Sequence, residues 1–218
     1  MGYNVAIDGP AGAGKSTIAK LVAKEKGYIY VDTGAMYRGL AIHFLDKGIT
    51  AEETDKIVEA CEDADVTIRY ENGQQQVYLN EVNITARLRD EAVGNMASKS
   101  SAIPAVRAKL LELQRGLARI ENVIMDGRDI GTCVLPDADV KVYLTASVET
   151  RAKRRFDELV EKGVACDLDE IAKDIAERDH RDMTREIAPL KQADDAVLVD
   201  SSNMTIEEVV KAIAALCK

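Results

Sequence analysis

Residues 9–17 have the sequence GPAGAGKST, which contains a full match to the pattern GxxxxGK[S/T]. The stretch follows an apolar run, Asn4–Ile7, and precedes a segment in which Ile18, Leu21 and Val22 recur at helical spacing. Glycines let backbone N–H groups approach phosphate oxygens, and the N-terminus of the following helix adds partial positive charge. A strand, a glycine-rich loop and a helix in this order therefore predict a loop that binds a triphosphate.

The side chains of this loop have distinct expected roles. Lys15 is expected to reach the β and γ phosphates, and Ser16 to offer its hydroxyl to Mg²⁺. The residues expected to contact ATP are Gly9, Pro10, Ala11, Gly12, Ala13, Gly14, Lys15, Ser16 and Thr17. The alternative is a glycine-rich turn with a chance Lys-Ser pair. The loop itself does not say whether the γ-phosphate goes to water or to an acceptor.

Five short apolar runs have the length and branching of buried strands. They are Asn4–Ile7, Tyr28–Val31, Val123–Met125, Val140–Leu144 and Ala196–Val199. Helical segments separate several of them, and the last helix has a capping box of Thr205 and Glu208. Alternating strands and helices predict right-handed crossovers and a parallel sheet with helices on both faces, an α/β fold.

A different pattern occurs at about residues 63–90. Val66, Ile68 and Tyr70 alternate with polar residues, Asn72-Gly73 is typical of a two-residue hairpin turn, and alternation resumes at Val77 and Leu79. This predicts a small antiparallel β insertion.

Composition excludes several classes of function. The chain has 218 residues and a net charge of −9, which argues against binding to nucleic acid or anionic membranes. No apolar run approaches a membrane span and no secretory signal is apparent, so a cytoplasmic location is expected. The 4 cysteines are widely spaced and expected to be reduced thiols, and 2 histidines are too few for a multi-histidine metal site.

Two strand ends carry candidate acceptor-side residues. The second strand leads into DTGAMYR at 32–38, where Asp32 or Thr33 can cap a helix that presents Arg38. The third strand delivers Asp126, the expected carboxylate partner of Mg²⁺. Arg128 and Asp129 follow in the same turn and could bind an anion and an exocyclic amine, or could simply pair with each other.

One helix changes character along its length. Leu168, Ile171 and Ile175 form an apolar stripe that continues as Arg178, Asp182 and Arg185. This favours a charged end that faces a cleft, although an overhang into solvent with an Arg178–Asp182 pair is the alternative. Arginines cluster in this last third of the chain, as expected of a lid over phosphate: Arg151, Arg154, Arg155, Arg178, Arg181 and Arg185.

Taken together, the motifs resemble those of bacterial cytidylate kinases over nearly the whole chain. The resemblance depends on GPAGAGKST at 9–17, DTGAMYR at 32–38, DGRDIGT at 126–132 and ERDHRDMTR at 177–185. It implies a P-loop NTPase fold with a central five-stranded parallel sheet, a helical lid around 150–185 and the β insertion that separates these enzymes from adenylate and eukaryotic UMP/CMP kinases. It also implies one kinase unit, with a core of 1–35 and 120–218 and a CMP-binding region of 36–119.

The same resemblance implies an activity, transfer of the γ-phosphoryl of ATP to CMP or dCMP with Mg²⁺, by a monomer. The CMP-binding residues it implies are Thr33, Arg38, Ser98, Arg107, Arg128, Asp129, Arg178, Asp182 and Arg185. Among them, Ser98, Arg107 and Asp129 are expected to recognise the cytosine ring. The residues expected to stabilise the transferring phosphoryl are Lys15, Arg128, Arg178, Arg154 and Arg155, and those expected to hold the metal are Ser16 and Asp126.

Three alternatives remain at this stage. Another P-loop small-molecule kinase, such as an adenylate or shikimate kinase, would share the loop but not the β insertion or DGRD. A nucleotide-dependent switch ATPase would bind partners without forming a product nucleotide. A nucleic-acid-binding module is disfavoured by the net charge and by the absence of Trp.

Overall fold

A computed structural model describes residues Gly2–Lys218. Its main sheet contains β1 (Asn4–Asp8), β2 (Ile29–Asp32), β6 (Val123–Gly127), β7 (Val140–Thr145) and β8 (Val197–Asp200). The strands run parallel in the order β2-β6-β1-β7-β8, and helices cover both faces. All five predicted strands are therefore confirmed, with bounds shifted by at most two residues.

The central strand β1 pairs with β6 on one side and with β7 on the other. Val5, Ala6 and Ile7 are fully buried, as a strand covered on both faces requires. The expectation of complete burial holds for Val5–Ile7 and Val123–Met125 and is wrong for the other strands: β2 and β7 contain partly exposed residues, and in β8 Val197 and Leu198 are 44% and 56% exposed. This strand lies at the edge of the sheet, so it has a neighbour on one side only.

The remaining helices and strands follow in chain order. The helices are α1 (Lys15–Lys26), α2 (Thr33–Asp46), α3 (Thr54–Glu62), α4 (Glu91–Ser100), α5 (Pro104–Ile120), α6 (Val148–Glu161), α7 (Leu168–Thr184) and α8 (Ile206–Ala214). The other strands are β3 (Val66–Glu71), β4 (Gln74–Leu79) and β5 (Val82–Asn83). A π-helical turn covers Ile130–Val134.

Helices α1 and α8 share a core with the main sheet. Ile18 and Val22 of α1 pack in one cluster with Val209 and Ile213 of α8. The capping box at the start of α8 is confirmed, with Thr205 and Glu208 bonding reciprocally. Leu21, in contrast, was expected on the buried stripe of α1 and is 41% exposed. Three residues after Ile18 the helix has turned about 300°, which carries Leu21 to the edge of the buried face.

The predicted β insertion is also confirmed. Strands β3, β4 and β5 form a separate antiparallel sheet. Asn72 and Gly73 connect β3 to β4 with φ angles of 52° and 73°. Positive φ at both central residues is the signature of a type I′ turn, which Asn-Gly adopts at low cost.

The chain divides into two compact units. The first contains Val31–Glu121, with α2 to α5 and the small sheet. The second contains Tyr3–Tyr30 and Asn122–Lys218, with the phosphate loop, α1 and α6 to α8. From Gly2 to Lys218, no helix has the length and apolarity to cross a membrane. The 4 cysteines are free thiols.

Candidate active site

The predicted phosphate loop lies between β1 and α1, and its backbone requires glycine. Gly9, Gly12 and Gly14 have φ angles of 150°, 77° and 87°. A Cβ atom at Gly9 would lie 1.9 Å from the carbonyl oxygen of Leu144 in β7. No side chain fits at that distance, so the loop passes against the neighbouring strand by backbone contact alone.

Lys15 begins α1 and is buried, with its amine folded across the loop. Its Nζ donates to the carbonyl oxygens of Gly9 and Pro10, both at 2.7 Å. Burial and the positive charge of Arg128 hold the pKa of Lys15 well below its ordinary value, while the carboxylates Asp126 and Asp8 oppose that shift. A phosphate anion at the loop would raise this pKa again, because it favours the charged amine.

Ser16 and Asp126 form an oxygen-rich pair at the start of α1. Asp126 is buried one residue before the end of β6, so the apolar strand delivers it to the carboxyl end of the sheet, as predicted. Its Oδ2 accepts from Ser16 Oγ at 3.0 Å, and its Oδ1 accepts from the hydroxyl of Tyr30 at 2.9 Å. Hydroxyl and carboxylate oxygens are the ligands that Mg²⁺ prefers, so the donor set of this pair fits that ion.

Asp8 is a site residue that the sequence reasoning missed. It is the last residue of β1 and is 5% exposed. Its Oδ1 accepts from the backbone N–H of Ile130 at 2.8 Å, and its Oδ2 accepts from that of Gly131 at 2.7 Å. The available signal was an apolar strand that ends in an acid, the same signal that singled out Asp126.

The DGRD turn forms two ion pairs with the end of α7. Arg128 Nε donates to Asp182 Oδ2 at 2.8 Å, and Arg185 Nη2 donates to Asp129 Oδ1 at 3.3 Å. Arg128 and Asp129 thus each pair with an opposite charge more than 50 residues away in the sequence. Asp182 is buried, which argues against the alternative that this end of α7 overhangs into solvent, while the cleft that it is expected to face stays a prediction.

A buried arginine connects the phosphate loop to α6 and α7. Arg151 Nη1 donates to the carbonyl oxygen of Ala11 at 2.9 Å, and its Nε donates to that of Ala146 at 2.8 Å. Its Nη2 lies 2.6 Å from Asp179 Oδ2 in α7. Arg178, the neighbour of Asp179, contributes positive charge that lowers the pKa of Lys15.

The other two predicted lid arginines have different surroundings. Arg154 Nη2 donates to the carbonyl oxygen of Ser201 at 2.8 Å, beyond the end of β8. Arg155 Nη1 pairs with Glu158 at 3.0 Å on the exposed side of α6. The predicted contact of Arg154 and Arg155 with the transferring phosphoryl stays a prediction.

The first unit contains the remaining predicted CMP-binding residues. Asp32 caps α2 by accepting from the N–H of Ala35 at 2.9 Å, so Thr33 lies buried in its first turn. Arg38 follows on the same helix. These positions match the helix opening predicted from DTGAMYR, and the cap belongs to Asp32 rather than Thr33.

Two further residues of this unit come from α4 and α5. Ser98 Oγ is buried and has no hydrogen-bond partner among the residues Gly2–Lys218. The guanidinium of Arg107 lies 5.8 Å from the ring centre of Tyr37, and its Nη1 lies 3.4 Å from the carbonyl oxygen of Ser101. A buried hydroxyl without a partner is unusual in a folded protein, since leaving it unpaired costs about 1–3 kcal/mol.

Comparison with known protein families identifies the family of this chain. The family model described as cytidylate kinase matches residues 5–218. The chain belongs to the cytidylate kinase family. The family predicted from the sequence motifs is thereby confirmed.

Curated cytidylate kinases resemble the chain over almost its full length. The cytidylate kinase of Caldicellulosiruptor saccharolyticus is 51% identical, covering 98% of this chain and 94% of that protein. That of Lactobacillus johnsonii is 48% identical, covering 97% of this chain and 92% of that protein. Proteins related this closely share the family's phosphotransferase chemistry, and another kinase class or a switch ATPase is not favoured.

Solved structures with distant sequences share the fold. An uncharacterized protein from Eubacterium ventriosum superposes with a TM-score of 0.50 at 11% identity, covering 98% of this chain and 96% of that chain. At this identity the likeness concerns the fold alone. The cytidylate kinase family assignment therefore depends on the sequence comparisons and not on this structure.

Proposed function

We propose that the chain transfers the γ-phosphoryl of ATP to CMP or dCMP, giving CDP or dCDP and ADP. Membership of the cytidylate kinase family is the observation that carries this proposal. The residues around Lys15 support it, because a buried amine, two nearby arginines and a glycine-rich loop attract phosphate groups from both substrates.

The loop at 9–17 binds the triphosphate of ATP. Backbone N–H groups at the start of α1 face the phosphates, and Lys15 has a third N–H beyond the two that donate to Gly9 and Pro10. Ser16 and Asp126 would hold Mg²⁺, which when bound neutralises phosphate charge. Asp126 keeps Ser16 Oγ oriented through its own hydrogen bond.

The acceptor is a nucleoside monophosphate held by arginines. Arg38, Arg128, Arg178 and Arg185 supply positive charge for its phosphate, and guanidinium groups suit this task because their planar forks bind phosphate oxygens in pairs. Thr33 and Asp182 contribute hydroxyl and carboxylate contacts to the phosphate and the sugar. Each of these contacts is part of the proposal.

Cytosine is recognised by groups that complement its edge. Asp129 accepts a hydrogen bond from the exocyclic amine, while Ser98 and Arg107 bond to the rest of the ring. The buried hydroxyl of Ser98 supports this role, because a ligand would give it the partner it lacks among Gly2–Lys218. Uracil carries an oxygen in place of the amine, so Asp129 disfavours UMP by repulsion.

Phosphoryl transfer to this acceptor needs no protein base, since the attacking oxygen already belongs to an anionic phosphate. Catalysis then consists of alignment and neutralisation of charge by Lys15, Arg128 and Arg178, with Arg154 and Arg155 closing from α6. The cytoplasmic location and the monomeric state expected from the sequence stay part of the proposal.

A panel of acceptors tests the proposed function. The enzyme is incubated with ATP, Mg²⁺ and one of CMP, dCMP, UMP, AMP, GMP or shikimate, and products are separated by chromatography. We expect CDP and dCDP as the main products. ATP hydrolysis without any phosphorylated acceptor would indicate a switch ATPase, and preferred phosphorylation of AMP or shikimate would indicate another kinase class.

A further inference from the structure

Asp8 has no role in the mechanism proposed above, yet its surroundings are unusual. A carboxylate that is 5% exposed must be stabilised by hydrogen bonds, and Asp8 uses both oxygens for the backbone N–H groups of Ile130 and Gly131. A Cβ atom at Gly131 would lie 3.4 Å from Asp8 Oδ2, so the turn approaches the carboxylate closely.

The two bonded amides come directly after the DGRD turn. The carbonyl oxygen of Asp129 accepts from the N–H groups of Cys133 and Val134 at 2.9 and 3.2 Å, which closes the π-helical turn on one side. Asp8 holds the next two residues from the opposite side. The peptide group that joins Asp129 to Ile130 is therefore held through both its carbonyl oxygen and its N–H, which restrains the backbone on the C-terminal side of Asp129.

Asp8 is also the residue before Gly9, so a single side chain links the phosphate loop to the turn. Both of its oxygens are engaged and it is buried, which leaves it no direct contact to offer a substrate. We propose that Asp8 is a positioning residue for base selection, which acts by fixing the Ile130–Gly131 backbone so that Asp129 points its carboxylate at the cytosine amine. This inference rests on the proposed function of Asp129.

Two other roles would produce different results. Asp8 could merely stabilise the fold, or its negative charge could support the charged state of Lys15, which it favours electrostatically. Either role would change turnover of CMP and UMP in proportion. A positioning role changes the ratio between them, since only the Asp129 contact distinguishes an amine from a carbonyl oxygen.

The test compares kcat/KM for CMP with that for UMP in two variants. Asp8→Asn keeps the size but places an amide donor opposite one backbone N–H, and Asp8→Glu keeps the charge but displaces the carboxylate by a methylene. We expect the CMP-to-UMP ratio to fall at least fivefold in both. Asp139→Asn is the matched control, because Asp139 accepts from the N–H of Asn4 at 2.8 Å at the other end of β1. Its ratio should stay within twofold of the parent.

Asp129→Asn separates the inference from the function on which it rests. Asparagine at 129 can donate to uracil, so this variant should lower the ratio at least tenfold. If it does so while both Asp8 variants keep the parental ratio, the positioning role is wrong and the proposed function stands. If Asp129→Asn leaves the ratio unchanged, the role of Asp129 is wrong and the inference fails with it.

Hydrogen exchange provides a readout that does not depend on turnover. We expect the amides of Ile130 and Gly131 to exchange faster in Asp8→Asn, and to keep parental rates in Asp139→Asn. Parental exchange rates at both amides in Asp8→Asn would contradict the inference, even if that variant were too unstable for kinetic assays at higher temperature.

Discussion

Lys15 illustrates how an active-site residue is held at a cost to the fold. Its amine is buried in the phosphate loop, where Arg128 adds to the unfavourable environment and lowers the pKa further. Two backbone carbonyl oxygens accept from it and partly compensate for lost hydration. A phosphate anion bound at the loop would therefore interact favourably with Lys15, because its negative charge stabilises the protonated amine.

Lys15→Met is expected to lower kcat by about 10²–10³, as loss of one preorganised donor to the transition state does. The free energy of unfolding should stay the same or rise, since methionine fills the space without burying a charge. Steady-state kinetics and urea unfolding check both parts. Lys24→Met, on the exposed side of the same helix, is the control and should change neither. Unaltered turnover in Lys15→Met would contradict the role of the loop.

Asp8 predicts a pH dependence of stability. Burial raises its pKa to about 6 from the ordinary value of 3.8, against the opposing effect of the Gly131 and Ile130 amides. Between these two values the folded state binds a proton that the unfolded state has released. The Asp8 contribution to the free energy of unfolding is therefore fully present below pH 3.8 and is lost as the pH rises through 6.

The measurement is urea unfolding of the parent and of Asp8→Asn at several values from pH 4 to pH 7. The stability of Asp8→Asn relative to the parent should increase as the pH rises through this window. Asp139→Asn retains Asp8 and should follow the parent's slope. Parallel curves for the parent and Asp8→Asn would show that Asp8 does not titrate in this range.

At the scale of elements, one buried ion pair joins α6 to α7. Arg151 and Asp179 are almost completely buried, and the arginine also bonds to Ala11 in the phosphate loop. Asp179 Oδ1 has no hydrogen-bond partner in the part of the chain from Gly2 onward. Removing one partner leaves the other charge buried without compensation, which is far costlier than removing both.

Arg151→Met should therefore lower the free energy of unfolding by about 3–5 kcal/mol. The double variant with Asp179→Leu should recover part of that loss, because no buried charge remains. Arg155→Met is the control, since its pair with Glu158 lies on the exposed surface and contributes at most about 1 kcal/mol. Equal losses in Arg151→Met and Arg155→Met, measured by urea unfolding, would contradict this account.

The helices and strands could be predicted because they depend on local patterns. Val5 and Ile7 belong to an unbroken apolar run, and Asn72-Gly73 has few alternatives to a tight turn. The exposed Leu198 could not be predicted, because an apolar run does not reveal whether its strand lies at the centre or the edge of a sheet. Edge position follows from strand order, which is a property of the assembled fold.

The same limit applies to the candidate site. Lys15, Ser16 and Asp126 follow from a loop pattern and a strand end, and the structure adds a hydrogen bond between Ser16 and Asp126. The pairing of Arg128 with Asp182 joins residues 54 apart in sequence, and nothing in the spacing selects that partner over Asp129. Asp8 also ends an apolar strand, but its partners are backbone amides, which every residue has, so the sequence does not indicate what its carboxylate binds.

At the scale of the whole molecule, ligand binding should stabilise the chain by mass action. CMP at a hundredfold excess over its Kd contributes about 2.7 kcal/mol. For a protein of 218 residues this corresponds to a rise in Tm of roughly 5–11 °C. Differential scanning fluorimetry checks the shift. UMP at the same concentration serves as the matched ligand, and an equal shift with UMP would contradict recognition of the cytosine amine.

The close approach of Gly9 to Leu144 has a practical consequence for inhibitor design. A compound that contacts the loop backbone at this position meets a site where even alanine would force two strands apart. Resistance through substitution of Gly9 itself is therefore closed. Inhibitors designed against this loop should therefore contact the backbone at Gly9.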